Sequence, residues 1–303
     1  MPKRSWRSVL RRAVREFRDD NLTDTAAALT YYATLSVFPA LLVLASLIGL
    51  AGPNTAKHLV ENLGQVVPGS AQGVLSQAIS NLQRTPGAGL TALVALAAAI
   101  WSASGYVAAF MRAANTVYDV PEGRPVWKKI PVRLGVTVLL LVLMAISSII
   151  VVFTGPLARQ AGDLLGLGSA AVTAWGILKW PVLLVLIMVL VAILYWAGPN
   201  AKQPGIRWIT PGGVVGVLLW LIASAGFAAY VANFGSYNKT YGALAGVIIF
   251  LVWLWISNLA ILLGAELNAE LDRARAEAGG LPEGQEPYLE LRDTSKAGSN
   301  PRG

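Results

Sequence analysis

A single histidine, His58, and no cysteine leave this sequence with almost none of the side chains that build thiolate nucleophiles or His-rich metal clusters. Its chemistry lies instead in polar residues set inside apolar runs. One of these runs holds 26 uncharged residues between Lys239 and Glu266, with Ser257 and Asn258 about two turns before its end. Eight residues advance a helix by about 800°, so Asn258 and Glu266 stand roughly 80° apart and can border one groove. Nearer the amino terminus, LTYYATLSVFP gathers Thr30, Tyr31, Tyr32, Thr34 and Ser36, and Pro39 removes a backbone donor just beyond them. A further run, WSASGYVAAF, carries Ser102 and Ser104, followed by Asn115 and Tyr118. Polar groups in hydrocarbon are costly and mark function by default. The competing readings are interfacial tyrosines, hydroxyls bonded to their own helix, and small residues at helix contacts.

That these runs are membrane spans follows from composition. Of 303 residues, 55% are hydrophobic and 13% charged, against about 25% charged in soluble domains. About 20 apolar residues cross a bilayer core as a helix, and six uncharged runs reach that length, with cores predicted near 32–52, 88–110, 134–156, 176–197, 211–232 and 244–265. No segment shows the alternation of about ten residues expected of barrel strands. The expected fold is therefore all-α: a polytopic membrane protein with six transmembrane helices. Lys and Arg resist translocation; with six spans, 19 of the 24 fall on one side and four on the other, Lys179 lying at the outer mouth of the fourth helix. Both termini are thus expected in the cytoplasm. The same asymmetry accounts for the net charge of +8 without nucleic acid, since anionic headgroups attract basic residues near the surface.

Around this domain, predicted at 24–275, three segments differ in character. Residues 1–23 place Trp6, Val9, Leu10, Ala13, Val14 and Phe17 on one helical face with arginines on the rest, the pattern of an interfacial helix; packing of that stripe on the inner ends of other helices is the alternative. Residues 53–87 predict an ordered outer cap, and His58 within it reads as a surface residue. Residues 276–303 are rich in Pro, Gly and charge and predict a disordered tail. Two GxxxG spacings, Gly212 with Gly216 and Gly242 with Gly246, predict close crossing of the fifth and sixth helices. Trp253 and Trp255 sit too deep for an interfacial belt and predict bulky packing or a cavity wall.

Catalysis finds little support in these residues. No P-loop, Gly-x-Ser-x-Gly or His-Glu-x-x-His pattern occurs, and no cofactor or metal site is expected.

Four stretches together carry a resemblance: ALTYYATLSVFPALLVL, WSASGYVAAFMRAANTVYDV, LYWAGPNAK with WITPGGVVGVLLW, and YGALAGVIIFLVWLWISNLAILLGAELNAEL. They resemble, in order and over roughly residues 15–275, the YihY/virulence factor BrkB family of bacterial inner-membrane proteins. The matching positions are Tyr31, Tyr32, Pro39, Trp101, Ser104, Asn115, Tyr118, Pro199, Pro211, Gly212, Tyr241, Gly242, Gly264, Glu266 and Asn268. The resemblance implies six spanning helices with both ends cytoplasmic, and transport or lipid export as the activity usually supposed. A ribonuclease label carried by some members finds no ligand cluster here to support it.

These readings converge on an inner-membrane transporter or exporter of an amphiphilic, lipid-like or anionic substrate. Its expected path comprises Thr30, Tyr31, Tyr32, Ser36, Pro39, Ser104, Asn115, Tyr118, Asn258 and Glu266, and its expected partners are membrane lipids with anionic headgroups at the cytoplasmic face. Six helices are few to enclose a large path, which points to a homodimer as one arrangement. The rival reading is a scaffolding protein that binds lipid or partner proteins and moves nothing.

Overall fold

A computed structural model describes residues 6–50, 88–152, 158–159, 162, 168–203, 210–233, 243–282 and 284–296. The described residues form seven long helices: α1 (Trp6–Asp19), α2 (Leu22–Leu50), α3 (Ala88–Val117), α4 (Val126–Val152), α5 (Ser169–Ala197), α6 (Pro211–Asn233) and α7 (Ala243–Ala278). Four stretches, Val126–Val151, Ser169–Ala197, Pro211–Ala232 and Ala245–Ala278, are long and apolar enough to cross a membrane by length and composition. The expected cap at 53–87, with His58, lies outside the described residues, as do Tyr241, Gly242 and the side chain of Pro39.

The helices outrun the apolar cores read from hydropathy. The largest extension is in α7, which continues twelve residues past Glu266 through LNAELDRARAEA. Ala, Leu, Glu and Arg are strong helix formers, so the helix persists after the hydrophobic run has ended. Glu266 therefore stands well inside a helix, not at its exit. In α5 the start at Ser169 puts Lys179 ten residues into the helix, where it is buried.

The chain divides into two compact units. One contains residues 24–109 and 223–258, the other residues 1–23, 110–222 and 259–303. The division cuts α2, α3, α6 and α7, so each of these supplies a segment to both.

In the second unit α4 lies against α5, and α1 packs on the end of α7. Val9 joins Leu267 and Leu271 in a buried cluster, with Val215 and Ala274 against it. Arg12 makes ion pairs with Glu270 at 3.5 Å and Glu277 at 3.2 Å. Only one edge of the apolar stripe is used this way: Val9 and Ala13 are buried, while Trp6, Leu10 and Val14 are exposed. The turn to α2 passes through Asn21 at φ 50, a conformation Asn tolerates better than most residues.

The expectation of a disordered tail is corrected by residues 284–296. Leu291 forms an antiparallel bridge with Ala201, Lys202 N–H donates to Glu290 O at 2.7 Å and Arg292 N–H to Asn200 O at 2.9 Å. Tyr288 is buried, stacked on Tyr118 at 6.3 Å and beneath the Arg273 guanidinium at 4.8 Å. Composition misled because one aromatic anchor and a few backbone hydrogen bonds outweigh the polar average. Gly123 permits the approach: a Cβ there would collide with the Asp293 carbonyl.

Candidate functional site

The polar residues separate into two groups, one in each unit. In the unit formed by 24–109 and 223–258, Tyr106 Oη donates to Asn258 Oδ1 at 3.0 Å, Asn258 Nδ2 donates to Thr30 Oγ1 at 3.0 Å, and Thr30 Oγ1 donates to Ala26 O at 2.8 Å. This chain ties α3, α7 and α2 together with each member satisfied. Thr34 and Ser36 bond back to Thr30 O and Tyr32 O, and Ser104 to Trp101 O at 2.6 Å. These hydroxyls serve their own helices. Tyr31 is 60% exposed and meets Tyr32 edge-on at 5.4 Å; Tyr32 packs over Gly105. Trp253 Nε1 donates to Ser224 Oγ at 3.2 Å, which makes this deep tryptophan a packing residue with a satisfied donor.

In the other unit Glu266 is 1% exposed and its Oε2 has no hydrogen-bond partner among the described residues. Asn115 accepts from Asn200 N–H at 2.7 Å and donates to Glu122 at 3.2 Å. Glu122 in turn grips Arg124 at 2.7 Å, and Arg124 donates to Ala197 O at 3.3 Å and Gly198 O at 2.9 Å. A guanidinium thus satisfies two carbonyls at the end of α5 and meets the negative end of its dipole. Tyr118 is buried, and that burial, ahead of the neighbouring Asp272, pushes its phenol up, so it remains a hydrogen-bond donor near neutral pH.

Gly212 and Gly216 sit against Gly264: a Cβ on Gly212 would strike the Gly264 carbonyl, and one on Gly216 would lie 3.4 Å from Gly264 Cα. Gly212 N–H donates to Asn268 Oδ1 at 2.9 Å, and Asn268 Nδ2 donates to Thr210 Oγ1 at 2.8 Å. Tyr195 Oη donates to Ile261 O beside the same crossing. Gly246, by contrast, has none of the described residues within 4 Å of its would-be Cβ. Beside this crossing a cleft of about 500 Å³, part of it open to solvent, is lined by Tyr118, Tyr195, Trp196, Thr210, Asp272 and Arg275, with Gln203 and Asn268 also on its wall.

Of the expected path, therefore, Thr30 and Asn258 come together in one unit, and Asn115, Tyr118 and Glu266 belong to the other. Tyr106, Asn200, Asp272 and Arg275 were missed. Tyr106 and Asn200 stood in the quoted WSASGYVAAF and LYWAGPNAK, but only tertiary contacts reveal their partners.

At the turn between α1 and α2, burial first, then Asp119, Glu16 and Asp19, push the Asp20 carboxyl from 3.8 up to about 6, opposed by Arg273. Its folded pKa exceeds its unfolded one, so the stability tied to this proton is present below about pH 4 and is lost as pH rises through 6. Asp20→Asn is expected to raise the melting temperature at about pH 7.5 and leave it unchanged near pH 3.5. Melting curves across that range check it; an equal shift at both ends would assign the effect to something other than the charge.

Comparison with known proteins now adds a family. The profile of virulence factor BrkB matches residues 13–287. The chain belongs to the virulence factor BrkB family. BrkB-family relatives include YfkH of Bacillus subtilis strain 168, whose name calls it ribonuclease-like, 30% identical over 253 residues that cover 82% of this chain and 90% of YfkH. A protein of Xanthomonas campestris strain B100 named as a UPF0761 membrane protein is 30% identical over 289 residues, covering 92% of this chain and 64% of its own length. A Xanthomonas axonopodis UPF0761 membrane protein is likewise 30% identical, with 65% of its length covered. The chain thus spans under two thirds of these Xanthomonas relatives. No solved structure matches it significantly. This is a membrane protein of the BrkB family with apolar helices of spanning length.

Proposed function

We propose that this BrkB-family membrane protein transports or exports an amphiphilic, lipid-like or anionic substrate, and that it does so without catalysing a reaction. The observation that carries the reading is Glu266: a carboxyl 1% exposed, one oxygen without a hydrogen-bond partner among the described residues, within a helix of spanning length. An ionisable group in that setting is expensive to keep and is a functional-site hypothesis by default. In this reading six helices, α2 to α7, cross the bacterial inner membrane with both termini in the cytoplasm, as the Lys and Arg asymmetry favours. The exposed Trp6, Leu10 and Val14 edge of α1 lies in the membrane interface, where its arginines gather anionic headgroups. The protein works as a monomer or homodimer and binds no nucleic acid.

A scaffolding role is the second reading, and one specific observation favours it: the Tyr106–Asn258–Thr30 chain is closed on itself, as a structural network would be. Proteoliposomes carrying fluorescent phosphatidylglycerol separate the two. Transport predicts leaflet exchange above empty liposomes and an at least tenfold loss in Glu266→Gln, whose shape is retained. Exchange no faster than in empty liposomes, or equal in wild type and variant, would sink the transport reading.

A further inference from the structure

Residues 284–296 fasten to much of their unit with light attachments. After α7 ends at Ala278 the chain turns back through Gly280 at φ 105 and Gly284 at φ 82, conformations glycine adopts at little cost. Glu286 then lies 3.8 Å from the Arg273 guanidinium of α7, and Tyr288 stacks on Tyr118 just past the end of α3. Leu291 pairs with Ala201 in the loop after α5. Asp293 accepts from Lys128 Nζ of α4 at 2.5 Å, and Lys296 N–H donates to Gly123 O at 3.1 Å. Apart from the Asn200 side chain, which bonds the Asp293 backbone twice, these attachments are weak. The bridge is one residue pair long, and the Lys128–Asp293 and Lys202–Glu290 ion pairs stand at the surface. Tyr288 Oη is buried with no hydrogen-bond partner among the described residues, a cost of docking that leaving would relieve.

What the tail covers is Tyr118 and, near it, Glu266. Tyr118 is buried with the Tyr288 ring on one face. The charge of Glu266 acts on the phenols of both Tyr118 and Tyr288, so the carboxyl and the two rings are neighbours within one unit. Water reaches a carboxyl so enclosed only when a covering element moves. Residues 284–296 contain no helix, so they can leave without unfolding one, and a short hinge of loop residues suffices for such a motion. We propose that residues 284–296 form a releasable strap that controls the access of water to Glu266. Docked, it shuts Tyr118 and Glu266 away; swung out at Gly280 and Gly284, it opens a route to both. Control of access stands by itself, and only the use of that access, opening and closing a substrate path, rests on the transport reading. A tail that merely stabilises the fold would leave access to Glu266 the same whether it was free to leave or locked in place.

A reversible lock tests this in the full-length protein. The backbone bonds fall on the residues flanking Ala201 and Leu291, which makes these two a non-hydrogen-bonded antiparallel pair. Such pairs hold their Cα atoms about 4.5 Å apart, inside the range of about 4.4–6.8 Å that a disulfide spans. The chain has no cysteine, so Ala201→Cys combined with Leu291→Cys introduces a single lock. Modification of Glu266 by a water-soluble carbodiimide with taurine, followed in nanodiscs by peptide mass spectrometry, reads access. Oxidation is expected to slow modification at least tenfold against the same protein reduced, and Tyr288→Ala to speed it at least tenfold over the wild type. Equal rates in the oxidised and reduced protein overturn the proposal, as does failure of the disulfide to form. Should Tyr288→Ala unfold, the oxidised and reduced comparison decides alone. Exchange of fluorescent phosphatidylglycerol in proteoliposomes separates the strap from the transport reading. A modification contrast without lipid exchange in the wild type supports the strap and overturns transport, whereas exchange without a modification contrast overturns the strap and leaves transport standing.

Discussion

Gly264→Ala is expected to destabilise the protein by roughly 3 kcal/mol, whereas Gly246→Ala leaves stability within about 0.5 kcal/mol. A Cβ on Gly264 would run into Tyr195 Oη, stand 2.5 Å from Gly212 O and 3.0 Å from Gly216 Cα. Two of these neighbours are backbone atoms of α6 and cannot turn aside. Tyr195 can, but only by giving up its hydrogen bond to Ile261 O, a further loss of about 1 kcal/mol. Overpacking by one methyl ordinarily costs about 1–3 kcal/mol, and the rigid neighbours put this site at the upper end. Gly246 meets none of the described residues within 4 Å, so the same added carbon strikes none of them. Melting in detergent, followed by the recovery of the monodisperse fraction, compares the two variants directly. If Gly264→Ala melts with the parent, α6 and α7 do not cross as closely as described.

Asn200→Ala is expected to release the tail and cost about 2–4 kcal/mol. The side chain of Asn200, fully buried, donates through Nδ2 to Pro121 O at 3.1 Å and Asp293 O at 2.9 Å, and accepts from Asp293 N–H at 3.1 Å. Truncation removes three hydrogen bonds and leaves one amide and two carbonyls without that partner, and unsatisfied buried groups carry the larger share of such a penalty. The surrounding contacts are weaker substitutes. Lys128 with Asp293 and Lys202 with Glu290 are ion pairs at the surface, which contribute little alone. Hydrogen exchange across 284–296 and the rate of proteolysis within 279–285 are both expected to rise at least tenfold. Unchanged protection would mean that Tyr288 under Arg273 holds the tail by itself.

How far the sequence could be read depended on whether a residue's partner was local. The hydroxyls of Thr34, Ser36 and Ser104 find acceptors three or four residues back on their own helices, an outcome implicit in helical spacing. Gly212 and Gly216 announced a close crossing by their spacing, yet their partner is Gly264, a lone glycine with no repeat to flag it. Gly242 with Gly246 carried the same signal; Gly242 lies outside the described residues, and Gly246 meets none of the described residues within 4 Å. A GxxxG pattern states that a backbone can approach closely; it does not say which surface arrives. Asn258 and Glu266 share one helix about 80° apart by their spacing, and they were read as one groove. Their surroundings differ: Asn258 closes a satisfied chain with Tyr106 and Thr30, and Glu266 keeps an oxygen without a partner among the described residues.

By itself the sequence determined the all-helical class, helices of spanning length and the BrkB family, because hydrophobicity, helical period and motif order are properties of consecutive residues. Tertiary structure alone decided that Asn200 ties the tail to two loops, and that Tyr118, Tyr195 and Trp196 stand beside the Asp272–Arg275 pair of α7. Those contacts join residues from separate helices and loops across tens to more than a hundred positions, and packing in three dimensions selects them from many arrangements that the same local pattern allows.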